Sequence, residues 1–105
     1  MSLTPTQLSL RHLREQGYTA AVVETWNSFT QTRHDLLGFI DILALRGDET
    51  VAIQTTSANN VSSRVRKIGD SEHIAAVREA GWTIVVHGWT KKAGRWQLAR
   101  EVNCS

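Results

Sequence analysis

Asp41 stands alone in the nearly continuous apolar run Leu36 to Leu45 (LLGFIDILAL). A carboxylate in such a setting is costly unless it is hydrogen-bonded, paired or bound to a cation. It therefore reads as a hydrogen-bonding Asp at a strand edge or as a ligand. Further along, Gln54, Thr55, Thr56 and Ser57 follow directly on the apolar triplet Val51-Ala52-Ile53. Period-two alternation puts Gln54 and Thr56 on one face of such a strand and Ile53 and Thr55 on the other. A hairpin pairing the two runs brings Asp41 and Gln54 side by side at its open end. A carboxylate, an amide oxygen and the Thr55 backbone carbonyl are hard oxygen donors of the kind Mg²⁺ takes, so Asp41, Gln54 and Thr55 form a sparse candidate metal site.

The stretch that follows, TTSANNVSSRVRK from 55 to 67, is rich in hydroxyls, amides and cations. Ser, Thr, Asn and Arg all donate to phosphate oxygens. Ser57, Asn60, Arg64, Arg66 and Lys67 are accordingly candidate nucleic-acid contacts. Arg64 and Lys67, at i and i+3, share one face if the segment is helical. His12, His34, His73 and His87 show no metal-motif spacing. His34, next to Asp35, is a general-base candidate. There is no nucleophile elbow and no phosphate-binding glycine loop.

These residues need a frame to hold them. Thr4, Pro5 and Gln7 make a capping box with proline at the first helical position, and Leu3 and Leu8 are spaced for a hydrophobic staple. The spacing predicts a helix to about Gln16, ended by Gly17. Thr19 to Trp26 predicts a strand, and Ser28 to Asp35 a polar connection. Leu36 to Leu45 and Val51 to Thr55 predict two buried strands of a hairpin around Arg46-Gly47-Asp48-Glu49. Ser57 to Asn60 reads as a turn or cap, and Val61 to Ile68 as a short helix. A second helical stretch, capped by Asp70 or Ser71, runs through Ala80 to Gly81. Trp82 to Trp89 and Arg95 to Val102 predict two last strands around a turn at Lys91 to Gly94.

Bulk properties set the class. At 105 residues the chain fits one domain, 1–105. With 41% hydrophobic and 21% charged residues it should fold rather than stay disordered. A net charge of +2 does not by itself imply a nucleic-acid partner. The cations do cluster, at Arg64, Arg66 and Lys67 and again at Lys91, Lys92 and Arg95. The single cysteine, Cys104, excludes an internal disulfide and a cysteine-based zinc site. The N-terminus carries no signal-peptide pattern, and no apolar run approaches the ~20 residues of a membrane span. These features predict a soluble, intracellular protein. Most of Trp26, Trp82, Trp89 and Trp96 are expected in the core or at an interface, and the thin core of a small chain favours dimerisation.

Gly38-Phe39-Ile40-Asp41, a hairpin, and then Val51-Ala52-Ile53-Gln54-Thr55-Thr56-Ser57 resemble the centre of the PD-(D/E)XK nuclease superfamily. The closest style is that of its small Holliday-junction-resolvase-like or phage-encoded members, and the resemblance spans roughly 4–86. It implies an α/β, restriction-endonuclease-like core: a central mixed sheet of four to five strands flanked by helices, in the order α-β-β-β-α-β-β. It also implies Mg²⁺ or Mn²⁺ as cofactor and DNA as partner. A homodimer in the cytoplasm of a bacterium or phage-infected host cell fits the same resemblance.

By the same resemblance, Asp41 falls on the metal-binding Asp. Gln54 falls where an acid is usual, though some members use Gln. Thr56 falls on the catalytic Lys. Threonine supplies no positive charge; Lys67, Arg64 or Arg66 from the following helix could reach into the site in its place. Glu15, Glu24 or Asp35 could restore a second acid. The implied function is metal-dependent endonucleolytic cleavage of phosphodiesters. The alternative is a catalytically inactive nuclease fold that binds nucleic acid or a protein, such as a phage accessory or counter-defence factor. A third reading is a structural dimer module built on the Trp82 to Trp89 strand or on the last strand.

Overall fold

A computed structural model describes residues 3–105. The first helix, α1 (Pro5–Glu15), begins as its sequence dictates. The Thr4 hydroxyl accepts from the Gln7 amide at 3.2 Å, and the Gln7 side chain accepts from the Thr4 amide at 3.3 Å. Leu8 is buried, whereas Leu3 of the expected staple remains 39% exposed.

A five-stranded sheet forms the centre, in the order β1 (Thr19–Val22), β4 (Ile42–Arg46), β5 (Glu49–Ser57), β6 (Thr83–Lys92), β7 (Arg95–Asn103). Only β5 and β6 are parallel; β1–β4, β4–β5 and β6–β7 are antiparallel. The expected mixed sheet flanked by helices is therefore present. The β4–β5 hairpin closes through Gly47 at φ 59°, with Arg46 opposite Glu49. The crossover from β5 to β6 runs through a 3₁₀ turn (Ala58–Asn60), α2 (Val61–Gly69) and α3 (Ile74–Glu79). Parallel neighbours require a long connection of this kind.

Alternation along the strands divides the core in two. Leu13 of α1 packs with Ala20, Ile42, Ala44, Val51 and Ile53 on one face. The residues of α2 and α3 (Val61, Ile68, Ile74, Val77) pack with Ala52, Ile84 and Val86 on the other, joined by Phe39 and Ile40. No described helix is long and apolar enough to cross a membrane.

The structure corrects several sequence-based expectations. The strand expected over Thr19 to Trp26 breaks after Val22. The chain then leaves the sheet to form a separate two-stranded hairpin, β2 (Thr25–Asn27) and β3 (Thr32–His34), where a plain connection was expected. The apolar run Leu36 to Leu45 is strand only from Ile42. Before it, Leu37 (φ 55°) and Gly38 (φ 84°) turn the chain so that Leu36 and Ile40 bond each other in both directions at 3.0 Å. This turn drops Phe39 and Ile40 into the core, so burial of side chains, not strand pairing, explains the run of apolar residues. The helix expected from Asp70 or Ser71 begins only at Ile74: the Ser71 hydroxyl accepts from the His73 amide at 3.1 Å, but the first four-residue backbone bond runs from the Val77 amide to the His73 carbonyl. Of the four tryptophans only Trp89 is buried, and Trp26 is 61% exposed. The strand carrying Trp82 to Trp89 lies inside the sheet, between β5 and β7, and presents no free edge for a dimer.

Two contacts fix the helices on the sheet. Ser9 of α1 is fully buried and bonds two residues of β6: it accepts from Trp89 Nε1 at 2.8 Å and meets His87 Nδ1 at 2.9 Å. An indole N–H can only donate, and the Nε2–H tautomer, with the serine proton on Nδ1, is the arrangement that also gives the Glu101 carboxylate a donor. Nε2 faces Glu101 Oε2 at 3.4 Å. Burial, reinforced by the charge of His12, lowers the His87 pKa to about 4, which keeps the ring neutral. On the opposite face Gly88 lets Val61 and Ala58 lie against the β6 backbone, with Ala58 Cα 3.1 Å from where a β-carbon would sit and the Val61 side chain closer still. Gly88→Ala must push α2 off the sheet. We expect a loss of about 1–3 kcal/mol in denaturant unfolding, without loss of secondary structure in far-UV circular dichroism.

Candidate functional site

The site forms where β4 is shorter than β5. Pairing between them ends at Ile42 and Ile53, while β5 continues to Ser57 against β6 alone. The overhanging edge would leave a backbone acceptor and a backbone donor unpaired, and Asp41 satisfies both. Its amide donates to the Ile53 carbonyl at 2.9 Å. Its Oδ2 accepts from the Thr55 amide at 2.8 Å, from Gln54 Nε2 at 2.7 Å and from Thr55 Oγ1 at 3.2 Å. The carboxylate thus stands in for the next backbone carbonyl of β4. The Thr6 hydroxyl of α1 lies 2.9 Å from Thr55 Oγ1 and extends the chain of bonds.

Two more acids join from the β2–β3 hairpin. Thr25 pairs with His34, so the flanking residues Glu24 and Asp35 face each other across its base. Val23 donates to the Asp41 carbonyl at 2.9 Å and ties that base to the start of β4. Carboxylate oxygens of Glu24, Asp35 and Asp41 all lie within 4.8 Å of one another. Burial pushes the Asp41 pKa up to about 7, helped by its hydrogen bond with Asp35 and the charges of Asp35 and Glu24, against the Thr55 amide, which lowers it.

Gln54 makes this more than a crowd of acids. It is 3% exposed and shares the cleft with the three carboxylates. Its N–H₂ is turned to Asp41, and among the described residues its Oε1 has no hydrogen-bond partner. A buried acceptor left without a donor costs roughly 1–3 kcal/mol, unless something electropositive comes to it. Three carboxylates and an amide oxygen are the donor chemistry of a hard divalent cation.

The cleft has a volume of about 420 Å³, and Arg33 and Arg64 also line it. Arg64 comes from α2, with its Nε buried and unpartnered among the described residues. Lys67 does not line this cleft; its Nζ sits 3.8 Å from Asp35 Oδ2, approaching the acids from a neighbouring groove. Thr56 is buried in the cleft wall, as is Thr55, whose amide and hydroxyl both serve Asp41. Ser57 lines the rim, but its hydroxyl is engaged with Asn59 and Asn60. Asn60 and Arg66 lie outside, exposed, and Glu15 is exposed on α1 away from the acids. His34 is exposed on β3, with Nε2 3.0 Å from Thr32 Oγ1. The sequence singled out neither Arg33 nor Thr6. Only the hairpin and the docking of α1 bring them in. No family model matches the chain, and no curated protein is similar enough in sequence to count as a match.

The raised pKa of Asp41 fixes the sign of a pH effect. Its folded value, about 7, lies above the ordinary carboxylate value of about 3.9, so the fold favours the protonated acid. That contribution is fully present below about pH 4 and is lost as pH rises through 7. In metal-free buffer, wild type should lose a few kcal/mol relative to Asp41→Asn between these limits, read as the difference of their urea midpoints at each pH. A constant difference would contradict the burial argument.

Proposed function

We propose that the chain is a divalent-metal-dependent nuclease acting on DNA phosphodiesters. The observation that carries this reading is the orphaned Gln54 Oε1, buried in one cleft with Glu24, Asp35 and Asp41. These residues would hold Mg²⁺ or Mn²⁺. Such an ion, when bound, polarises a phosphoryl oxygen and lowers the pKa of a water. Two antiparallel pairings followed by a parallel one through a helical crossover support a restriction-endonuclease-like core. That is the order the resemblance of Gly38–Asp41 and Val51–Ser57 implies.

The chain's own residues divide the remaining work. Thr55, Thr6 and the Gln54 amide anchor Asp41, so its second oxygen keeps a fixed position in the cleft. Thr56 brings no charge to β5. Arg64 reaches the same cleft from α2 and offers a planar fork of donors suited to a phosphate. Arg33 lines the cleft from the β2–β3 hairpin, and Lys67 balances Asp35. The uncharged Thr56 favours a second reading, a nuclease-derived protein that binds nucleic acid without cutting it.

Two measurements test the site. Mn²⁺ at pH 8 should raise the melting temperature of wild type, where the acids repel most, and Glu24→Gln/Asp35→Asn should abolish the rise. In cleavage assays on branched, single-stranded and duplex DNA with Mg²⁺ or Mn²⁺, Asp41→Ala should be inactive. Arg64→Ala should be slower by on the order of 10²-fold. Cleavage that survives Asp41→Ala sinks the metal site. Binding without cleavage, lost in Arg64→Ala/Lys67→Ala, selects the second reading.

A further inference from the structure

The β2–β3 hairpin carries a feature that neither the core nor the acid cluster explains. At its tip Phe29 is 99% exposed, and on its first strand Trp26 is 61% exposed. Covering a large aromatic that stands wholly in water removes apolar area from solvent and is favourable. The tip is not loose. The Asn27 side-chain oxygen accepts from the Phe29 amide at 3.0 Å and the Thr30 amide at 3.3 Å. The Thr30 and Thr32 hydroxyls lie 2.6 Å apart, and Thr32 in turn meets His34. These bonds hold the turn in a shape that directs Phe29 outward.

The hairpin is continuous with the cleft. Trp26 pairs across the ribbon with Arg33, and both line a groove with Val22 and Glu24. Arg33 and Glu24 also line the acid-bearing cleft, so one arginine spans the two. From Thr25 to His34 the hairpin has a cation at Arg33, a histidine and no acid. An exposed aromatic pair beside a cation, with the nearest acids confined to the base of the ribbon at Glu24 and Asp35, matches a strand that carries both flat bases and phosphates.

We propose that the hairpin is a stacking platform for unpaired bases, which makes single-stranded or branched nucleic acid the substrate class of the neighbouring cleft. Trp26 and Phe29 take the faces of bases, and Arg33 takes the phosphate that leads into the cleft. Stacking on aromatic side chains is sequence-tolerant and needs bases free of a duplex. A duplex seals those faces and gains nothing from the tip. This inference rests on the nucleic-acid reading of the cleft and names the substrate for it.

The test measures binding apart from turnover. Fluorescence anisotropy with Ca²⁺ in place of Mg²⁺ would compare a labelled oligothymidylate, its RNA counterpart, a forked duplex and a blunt duplex. Trp26→Ala and Phe29→Ala should each weaken the unpaired probes about tenfold, with blunt-duplex binding unchanged. Phe29→Tyr, which keeps the ring, should bind as wild type. Unchanged melting temperatures are expected, since Phe29 packs against nothing. Loss on only one of the two single-stranded probes supports the platform and identifies the sugar it prefers. Equal binding of the unpaired probes by wild type and both alanine variants overturns the proposal. So does a wild-type dimer in sedimentation that Phe29→Ala dissociates, because a second copy of the chain then covers the tip. Aromatic-dependent binding by a protein that never cuts leaves the platform standing and removes the nuclease. Cutting with unaltered substrate preference in both variants does the reverse.

Discussion

A buried carboxylate that completes a sheet ladder is the constraint around which this molecule is arranged. β4 stops short of β5, and the uncovered length of β5 needs an acceptor for the Thr55 amide. Asp41 supplies it with the same oxygen that holds Gln54 and the Thr55 hydroxyl. Three donors on one oxygen leave the other carboxylate oxygen free of that duty. An acid buried in this way would ordinarily take up a proton. Two further acids stand beside it and push it the same way, because like charges disfavour ionisation.

The excursion between β1 and β4 supplies those acids. Where Val22 leaves the five-stranded sheet, the chain makes the β2–β3 ribbon and returns through the Leu36–Ile40 turn. The ribbon's base places Glu24 opposite Asp35, and the turn buries Phe39 and Ile40 beneath Asp41 in the sequence that follows. One short segment thus assembles acids, seals the core next to them and projects Trp26 and Phe29 into solvent. Net charge is kept tolerable by cations from three directions: Arg33 from the ribbon, Arg64 from α2, and Lys67 against Asp35.

Rigidity comes from the far side of the sheet. α1 is held by one buried serine that joins Trp89 and a neutral His87, and its first turn delivers Thr6 to Thr55. α2 is held by the absence of a side chain at Gly88. Both helices therefore meet β6 at adjacent residues on opposite faces. The residues they bring to the cleft, Thr6 and Arg64, take their positions from those two contacts.

Much of this was legible in the amino-acid order. The capping box of α1, the Gly47 hairpin, the alternation that separates Gln54 from Thr55, and the cost of an isolated Asp41 in an apolar run follow from local geometry and solvation. The mixed sheet was implied by the resemblance that those elements carry, not by local geometry. What the sequence could not decide was where strands end. LLGFI reads as strand because it is apolar, yet Leu37 and Gly38 turn it, and the apolar residues serve the core instead. Periodicity reports which residues are buried, not which backbone partner they find. The acid cluster depends on that same register: Glu24 is remote from Asp41 along the chain, and only the ribbon's pairing sets it opposite Asp35 and beside Asp41. The sequence alone determined that a hairpin of the two apolar runs can set Asp41 and Gln54 side by side. Tertiary structure decided that Gln54 would spend its amide protons on Asp41 and leave a buried oxygen beside two other acids, because hydrogen-bond partners are chosen by the packed register and not by residue type.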